Sequence, residues 1–257
     1  MDIFSAVILG IVEGITEFLP VSSTGHLMLM AELLKIPQSA FVKSFEIAIQ
    51  LGAIGAVIFL YGKKLLTDKA LFYSVIVGFL PTALIGFLLY PFIKSYLLGS
   101  ISVVLASLFI GGIAMILFEY FYKKETRLHS ENISIKHALL IGLFQSVAII
   151  PGVSRAGATI LGGLFLGISR EAIVRFSFLL AIPTMVVATG YDLLREANNF
   201  SYENLIVLMV GFFTAFITAL GAIQFFMRII KTHSFISFGI YRVGIAITLF
   251  FFLYVWI

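Results

Sequence analysis

The sequence contains no cysteine and little charge. None of its 257 residues is cysteine, only 12% are Asp, Glu, Lys or Arg, and 61% are hydrophobic. The missing thiols exclude disulfides, thiolate metal sites and a cysteine nucleophile. A soluble domain carries about 25% charged residues, so the surface of this chain cannot be kept in water. The mean hydropathy of +1.11 therefore indicates an integral membrane protein.

The chain also has no polar linker long enough to divide it, so we expect a single membrane domain over residues 1–257. A basic N-terminal region is missing too, because Asp2 is the only early charge. Glu13 and Glu17 interrupt the first apolar run, and a cleaved signal peptide is not expected. The net charge of +4 is small, and we interpret the excess of lysine and arginine as a signal of membrane orientation. A nucleic-acid partner is not expected.

Six apolar stretches are long enough to cross a bilayer, which takes about 20 residues. They are 43–61, 70–91, 101–122, 172–193, 204–227 and 236–257. Two further apolar regions, around Pro20 and around Pro151, are broken into pieces too short to span. Non-helical backbone at membrane depth needs protein or a water-filled cavity around it. We therefore expect an all-α membrane protein with six transmembrane helices and two re-entrant helix–loop–helix segments.

Lysine and arginine in the connecting loops predict the orientation. If the broken regions re-enter, one side of the membrane holds Lys63, Lys64, Lys69, Lys123, Lys124, Arg127, Lys136, Arg228 and Lys231, with Arg170 at a re-entrant mouth. The other side holds Lys35, Lys43, Lys94 and Arg195. The side richer in cations is expected to be cytoplasmic. Both termini and the mouth of the first re-entrant segment then lie outside.

The two broken regions resemble each other at an offset of 132 residues. "LGIVEGITEFLPVSSTGHL" and "IGLFQSVAIIPGVSRAGAT" align without a gap, so that Ser22 corresponds to Ser154. Each half holds one re-entrant unit and three spans, and an odd number of spans turns the second half upside down. The pattern predicts inverted repeats over about 1–122 and 133–257, with a binding site where the broken elements meet.

The stretch "EGITEFLPVSSTGH", residues 13–26, begins with two acids in apolar surroundings. Glu13 and Glu17, hereafter the acidic pair, lie four residues apart and share one helix face, where like charges repel. A divalent cation, a shared proton or an arginine would explain such a pair. Mg²⁺ and Ca²⁺ both favour carboxylate oxygens. The structural alternative is that the acids reach the interface from a frayed helix.

Three hydroxyls and an imidazole follow in the same stretch. Ser22, Ser23 or Thr24 can cap the next helix, but capping needs only one of them. The following His26 indicates chemistry, because a serine near a histidine can act as a nucleophile. The histidine would take the serine proton, and a carboxylate would orient the histidine. The amides at a helix N-terminus would favour an anion there.

A single arginine marks the second broken region, "PGVSRAGAT". Arg155 follows a Pro-Gly turn and is expected at a helix start, where it can hold phosphate with a bidentate fork. Ser154 and Thr159 can add hydrogen bonds. The alternative is a salt bridge from Arg155 to the acidic pair that only joins the repeats. The residues alone thus predict an anionic substrate, a phosphate on an apolar group, and phosphoryl transfer.

The stretches "EGITEFLPVSSTGH" and "PGVSRAGATI" resemble the two signature motifs of the bacterial bacitracin-resistance family of undecaprenyl-diphosphate phosphatases. "FEIAIQLGAI" from Phe45 and "FSFLLAIPT" from Phe176 are also similar to family segments. The resemblance covers nearly the whole chain. It implies hydrolysis of undecaprenyl diphosphate, a polyprenyl lipid, to the monophosphate carrier for peptidoglycan synthesis. It also implies the bacterial cytoplasmic membrane, with the site open to the outer face.

The resemblance further implies roles for individual residues of the first motif. Ser23 corresponds to the nucleophile, with Ser22 and Thr24 beside it, and His26 corresponds to the acid/base residue. The acidic pair corresponds to the carboxylates linked to divalent cation use and to activation of the catalytic site.

In the second motif, Arg155 corresponds to the phosphate-binding arginine, with Ser154 and Thr159 nearby. Many members have a second serine where this chain has Ala156, so no essential hydroxyl is expected there.

Three polar residues outside the motifs lie within predicted spans. Glu46 and Gln50 are four residues apart on the first span and are expected to line the cavity, where Gln50 is expected to bind substrate. Arg242 lies in the last span, where an arginine is a functional candidate. Its structural alternative is pairing with a backbone carbonyl or with a nearby acid.

Two other functions remain open from the sequence. Inverted repeats with broken helices are typical of transporters, so the chain could move the lipid carrier between leaflets. An ion-coupled transporter of small solutes would instead use the acidic pair to carry protons. A homodimer is compatible with each of these functions.

Overall fold

A computed structural model of the chain describes residues 1–37, 39–97, 100–121, 131–196 and 202–254. The regular secondary structure in these ranges is helical. The helices are α1 Ile3–Thr16, α2 Ser23–Leu33, α3 Ala40–Thr67, α4 Lys69–Phe92, α5 Ile101–Phe121, α6 Ile135–Ser146, α7 Arg155–Phe165, α8 Arg170–Glu196, α9 Tyr202–Ile229 and α10 Ile236–Tyr254. A π-helical turn, Ile93–Leu97, extends α4, and a 3₁₀ turn, Val147–Ile149, extends α6.

Six helices are long and apolar enough to cross a membrane, and they are α3, α4, α5, α8, α9 and α10. They correspond to the six predicted spans, so the prediction of a multi-pass membrane protein is confirmed. Helix α3 runs past the predicted end at residue 61 to Thr67, because lysine and leucine continue a helix after the apolar stretch ends. Residues 122 and 255–257 of the predicted spans, like Lys123, Lys124 and Arg127, lie outside the described residues.

The four short helices form two similar units. The first unit comprises α1, the turn over residues 17–22 and α2, and the second comprises α6, residues 147–154 and α7. Three of these helices begin at a side-chain cap, which satisfies one free backbone N–H. Asp2 accepts from Ser5 N–H at 2.8 Å, and the caps of α6 and α7 are Ser134 and Ser154. At α2 the N-cap position is Ser22, whose side chain makes no capping bond.

Glycines let the units pack closely on the long helices. Helix α1 packs on α9, and α6 packs on α4. A Cβ atom at Gly14 would lie 2.0 Å from Thr218 Oγ1, and one at Gly142 would lie 2.1 Å from the oxygen of Gly78. Real Cβ atoms do not approach other atoms this closely, so the contacts require glycine. Helices α3 and α8 also pack together, as do α5 and α10.

Candidate active site

The turns of the two units lie against each other. The hydroxyl of Ser154 donates to the carbonyl of Leu19 at 3.5 Å. Arg155, at the first position of α7, places Nη2 2.9 Å from Oε1 of Glu17. These two residues are 138 positions apart in sequence, so folding brings the reactive groups of both motifs to one place.

Glu17 connects Ser23 with Arg155. Ser23 is the first residue of α2, and its hydroxyl donates to Glu17 Oε2 at 2.6 Å. The other carboxylate oxygen accepts from Arg155. A hydroxyl bonded to a carboxylate at this distance is a charge-assisted pair, and a carboxylate within reach of the proton meets the geometric test for a general base. Both Ser23 and Glu17 are buried.

Helix α8 also holds Arg155 in place. Its Nη1 donates to the backbone oxygen of Ser177 at 2.8 Å and contacts the Ser177 hydroxyl at 3.4 Å. The guanidinium carbon lies 5.8 Å from the ring centre of Phe18. Arg155 Nε is buried and has no partner among the described residues. The fork is therefore oriented by the protein and keeps one donor available for an anion.

Sequence reasoning missed Ser177 as a partner of Arg155. The available signal was a lone polar residue inside the apolar segment "FSFLLAIPT".

Glu13 lies one helical turn before Glu17 and is fully buried. Both of its carboxylate oxygens lack a hydrogen-bond partner within the described part of the chain, as does Glu46 Oε1. Burying a carboxylate is costly unless a hydrogen bond or a cation stabilises its charge. Mg²⁺ and Ca²⁺ are hard cations that prefer oxygen ligands of this kind. Gln50 lies on α3 one turn after Glu46 and is half-buried.

A complete protein ligand shell for a cation is not formed by the described residues, since no group of three His, Asp or Glu side chains gathers there. Mg²⁺ is commonly bound through one or two carboxylates together with water and substrate phosphates. Among the described residues, Glu13 has both oxygens unpaired and fits such an ion, whereas the oxygens of Glu17 are already bonded to Ser23 and Arg155.

His26 points away from the Ser23–Glu17 bond. Its Nδ1 lies 2.8 Å from the backbone oxygen of Ser22, and its Nε2 lies 2.7 Å from the hydroxyl of Tyr241. The rings of His26 and Tyr241 are stacked, with centroids 5.5 Å apart and an interplanar angle of 10°. Sequence reasoning did not select Tyr241, which comes from the last helix and lies 215 residues away.

The other predicted site residues take up different positions around this centre. Ser22 is buried and Thr24 is exposed. The Ser154 hydroxyl accepts from Gly157 N–H at 3.0 Å, and Thr159 donates to the carbonyl of Arg155 at 2.8 Å. These bonds are local helix contacts, and contact of the four hydroxyls with substrate stays a prediction.

The second serine that many family members have is replaced here by a core residue. Ala156 is fully buried among apolar side chains.

Arg242 is buried and donates to four backbone carbonyls. Its partners are Ser107 at 3.0 Å, Leu108 at 3.4 Å, Pro20 at 3.3 Å and Gly152 at 3.1 Å. The structure therefore shows Arg242 paired with backbone carbonyls, which was one of the structural alternatives for this residue. One side chain of α10 thus joins the turns of both units to α5.

Comparison with known proteins agrees with the motifs. The family model described as bacitracin resistance protein BacA matches residues 6–248. The chain is 51% identical over 255 residues to a protein of Wolinella succinogenes named undecaprenyl-diphosphatase, covering 98% of this chain and 99% of that protein. A protein of Aquifex aeolicus with the same name is 48% identical over 248 residues, covering 96% and 97% of the two chains. With matches of this extent, the chain belongs to the bacitracin resistance protein BacA family.

Proposed function

We propose that the chain hydrolyses undecaprenyl diphosphate to undecaprenyl phosphate and inorganic phosphate, which recycles the lipid carrier for cell-wall synthesis. Relatives that match it over nearly their whole length are named undecaprenyl-diphosphatase. The observation that carries the proposal is the hydrogen bond from Ser23 to Glu17, with Arg155 on the second carboxylate oxygen. This arrangement places a nucleophile, a base and a phosphate-binding guanidinium in direct contact with one another.

In the first step, Glu17 accepts the proton of Ser23 while Ser23 Oγ forms a bond to the terminal phosphorus. The bond from that phosphorus to the bridging oxygen breaks, and undecaprenyl phosphate leaves with the oxygen. Arg155 neutralises charge on the transferred oxygens, which is the main requirement of phosphoryl transfer. Its contacts to Ser177 and Phe18 keep the fork oriented for that task.

In the second step, water attacks the phosphorus of the phosphoserine. The Oγ–phosphorus bond breaks, Glu17 returns its proton to Ser23 Oγ, and phosphate leaves with both protons of the water. The free enzyme is then restored, with Glu17 ionised and bonded to the serine hydroxyl. Alternation of one group between base and acid is the usual behaviour in such two-step reactions.

A divalent cation, Mg²⁺ or Ca²⁺, belongs to the proposal, and Glu13 and Glu17 are the residues that would hold it. The support is the pair of buried, unpartnered oxygens at Glu13. When bound, such an ion would offset negative charge on the diphosphate.

We further propose that the two units are re-entrant segments of an inverted repeat. The support lies in the packing, since α1 against α9 in one half corresponds to α6 against α4 in the other. The distribution of lysine and arginine supports a site that opens to the outer face of the bacterial cytoplasmic membrane. The proposed catalytic groups come from one chain, so the reaction does not require a second copy.

The test is phosphate release from undecaprenyl diphosphate by the purified protein in detergent. Ser23→Ala should abolish release, and wild-type protein should accumulate phosphate on Ser23 after a rapid quench. Ser237→Ala is the matched control, because Ser237 is exposed in the first turn of α10 and is not among the contacts of Ser23, Glu17 and Arg155 in the described chain. A folded wild-type protein that binds the lipid without releasing phosphate would contradict the proposal and favour a transporter.

A further inference from the structure

Both ring nitrogens of His26 are engaged, and neither is bonded to Ser23. Nδ1 lies 2.8 Å from the Ser22 carbonyl oxygen. A carbonyl only accepts, so Nδ1 carries the proton of the neutral ring and Nε2 is left with a lone pair. That lone pair accepts from the Tyr241 hydroxyl at 2.7 Å. The Tyr241 contact thus favours the tautomer that donates to Ser22.

The peptide that His26 contacts has an unusual conformation. Ser22 has φ 72° and ψ 94°, a region that residues other than glycine rarely adopt. Backbone strain of this kind persists only where the surroundings hold it. Ser22 directly precedes Ser23, so its conformation sets the direction in which the Ser23 side chain leaves the backbone.

Helix α10 holds this turn from two consecutive residues. Arg242 donates to the carbonyl of Pro20 at 3.3 Å, and Tyr241 acts on Ser22 through His26. The His26 and Tyr241 rings are stacked, which fixes the plane of the imidazole as well as its tautomer. Both ends of the segment from Pro20 to Ser22 are therefore tied to one rigid helix.

We propose that His26 is a positioning residue, which holds the strained Ser22 peptide so that Ser23 Oγ meets Glu17, and that Tyr241 is a second positioning residue that orients His26. This inference rests on the proposed phosphatase reaction. It differs from the role expected from the motif, in which His26 exchanges a proton with Ser23. Here Glu17 alone accepts that proton, and His26 acts through the backbone.

Two substitutions of His26 separate the roles. Asparagine places an amide N–H near the position of Nδ1, and it has no acid/base function. Glutamine places its amide near the position of Nε2 instead. We expect His26→Asn to keep kcat within about tenfold of wild type, the worth of one imperfect hydrogen bond. His26→Gln should lose about a hundredfold or more, as expected for loss of an oriented group. Equal losses in the two variants would overturn the proposal.

A double-mutant cycle tests the part played by Tyr241. Tyr241→Phe removes the hydroxyl and keeps the ring, so kcat should fall about fivefold, the worth of one hydrogen bond. In the His26→Asn background, Nε2 is absent and the same change should cost nothing further. A full fivefold loss in that background would show that Tyr241 acts independently of His26.

A measurement that needs no activity completes the test. In ¹⁵N spectra of histidine-labelled full-length protein, the His26 signals, assigned by loss in His26→Asn, should show protonated Nδ1 and unprotonated Nε2. The opposite tautomer would overturn the proposal even if the enzyme is active. If wild-type protein shows this tautomer and releases no phosphate from undecaprenyl diphosphate, the phosphatase function fails, and with it the catalytic consequence assigned to His26.

Discussion

Ser23 and Glu17 are joined by a 2.6 Å hydrogen bond across the turn between α1 and α2. The carboxylate reaches the serine from the first residue of the turn, directly after α1, and its second oxygen is paired with Arg155. The pairing with Arg155 orients the Glu17 carboxylate toward the serine hydroxyl. The proposed base therefore lies six residues before the nucleophile, in the same motif.

Glu17→Gln should lower kcat by about 10² to 10⁴, the usual contribution of a general base, because an amide does not take up the proton. Phosphate release from undecaprenyl diphosphate measures the effect. Glu32→Gln is the control, since Glu32 is exposed on α2. A rate close to wild type in Glu17→Gln would exclude Glu17 as the base.

Arg155→Lys should lower kcat by about a hundredfold or more, comparable to removing one transition-state donor. A lysine ammonium is a point charge, and it cannot contact Glu17 and Ser177 together and still offer the further planar N–H donor that Arg155 Nε provides. The matched control is Arg175→Lys, because Arg175 is exposed on α8 and paired with Glu171. Near-normal turnover in Arg155→Lys would make the arginine a structural link only.

Removal of divalent cations with excess chelator should stop phosphate release, and addition of Mg²⁺ or Ca²⁺ should restore it. Glu13→Gln should raise the cation concentration needed for half-maximal activity, because one carboxylate ligand is lost. Titration of each cation into chelator-treated protein measures both effects. Full activity in chelator would leave the acidic pair without a metal role.

Arg242→Met should lower the thermal unfolding midpoint, because the buried turn carbonyls of Pro20 and Gly152 lose the donor that Arg242 supplies, and each buried unsatisfied group costs about 1–3 kcal/mol. Gly111→Ala should act in the same direction more weakly, since its Cβ would lie 2.5 Å from Arg242 Nη2. Unfolding followed in detergent measures both variants. Unchanged unfolding midpoints would show that water molecules donate to these carbonyls in place of the arginine.

Gly142→Ala should destabilise the protein, because the new Cβ would lie 2.1 Å from the oxygen of Gly78 and would separate α6 from α4. Gly221→Ala provides the control in a long helix, since nothing lies within 4 Å of the Cβ there. Alanine in open space favours a helix over glycine, so this control should equal or exceed wild type in stability. Wild-type stability in Gly142→Ala would mean that α6 can move away from α4 at no cost in the free energy of unfolding.

The spans and the site differ in how far the sequence predicts them. Apolar length alone located the six long helices, and the two motifs selected Ser23, Glu17 and Arg155. The partners of His26 were not predictable from the motif, because the backbone turn at Ser22 and the distant Tyr241 decide where the ring points. Ser177 was missed for the same reason, and the sequence allowed carbonyl partners for Arg242 without indicating which carbonyls they are. Their roles arise from tertiary contacts, which leave little pattern in the local sequence.

The contribution of α10 has a consequence for biosynthesis. Tyr241 and Arg242 leave the ribosome after the turns around Ser22 and Gly152 have been made, yet they hold both of those turns in place. A nascent chain that already carries the serine, both acids and Arg155 still lacks the side chains that fix their turns. Activity should therefore arise only when α10 has inserted, and a chain truncated before α10 should remain inactive in the membrane.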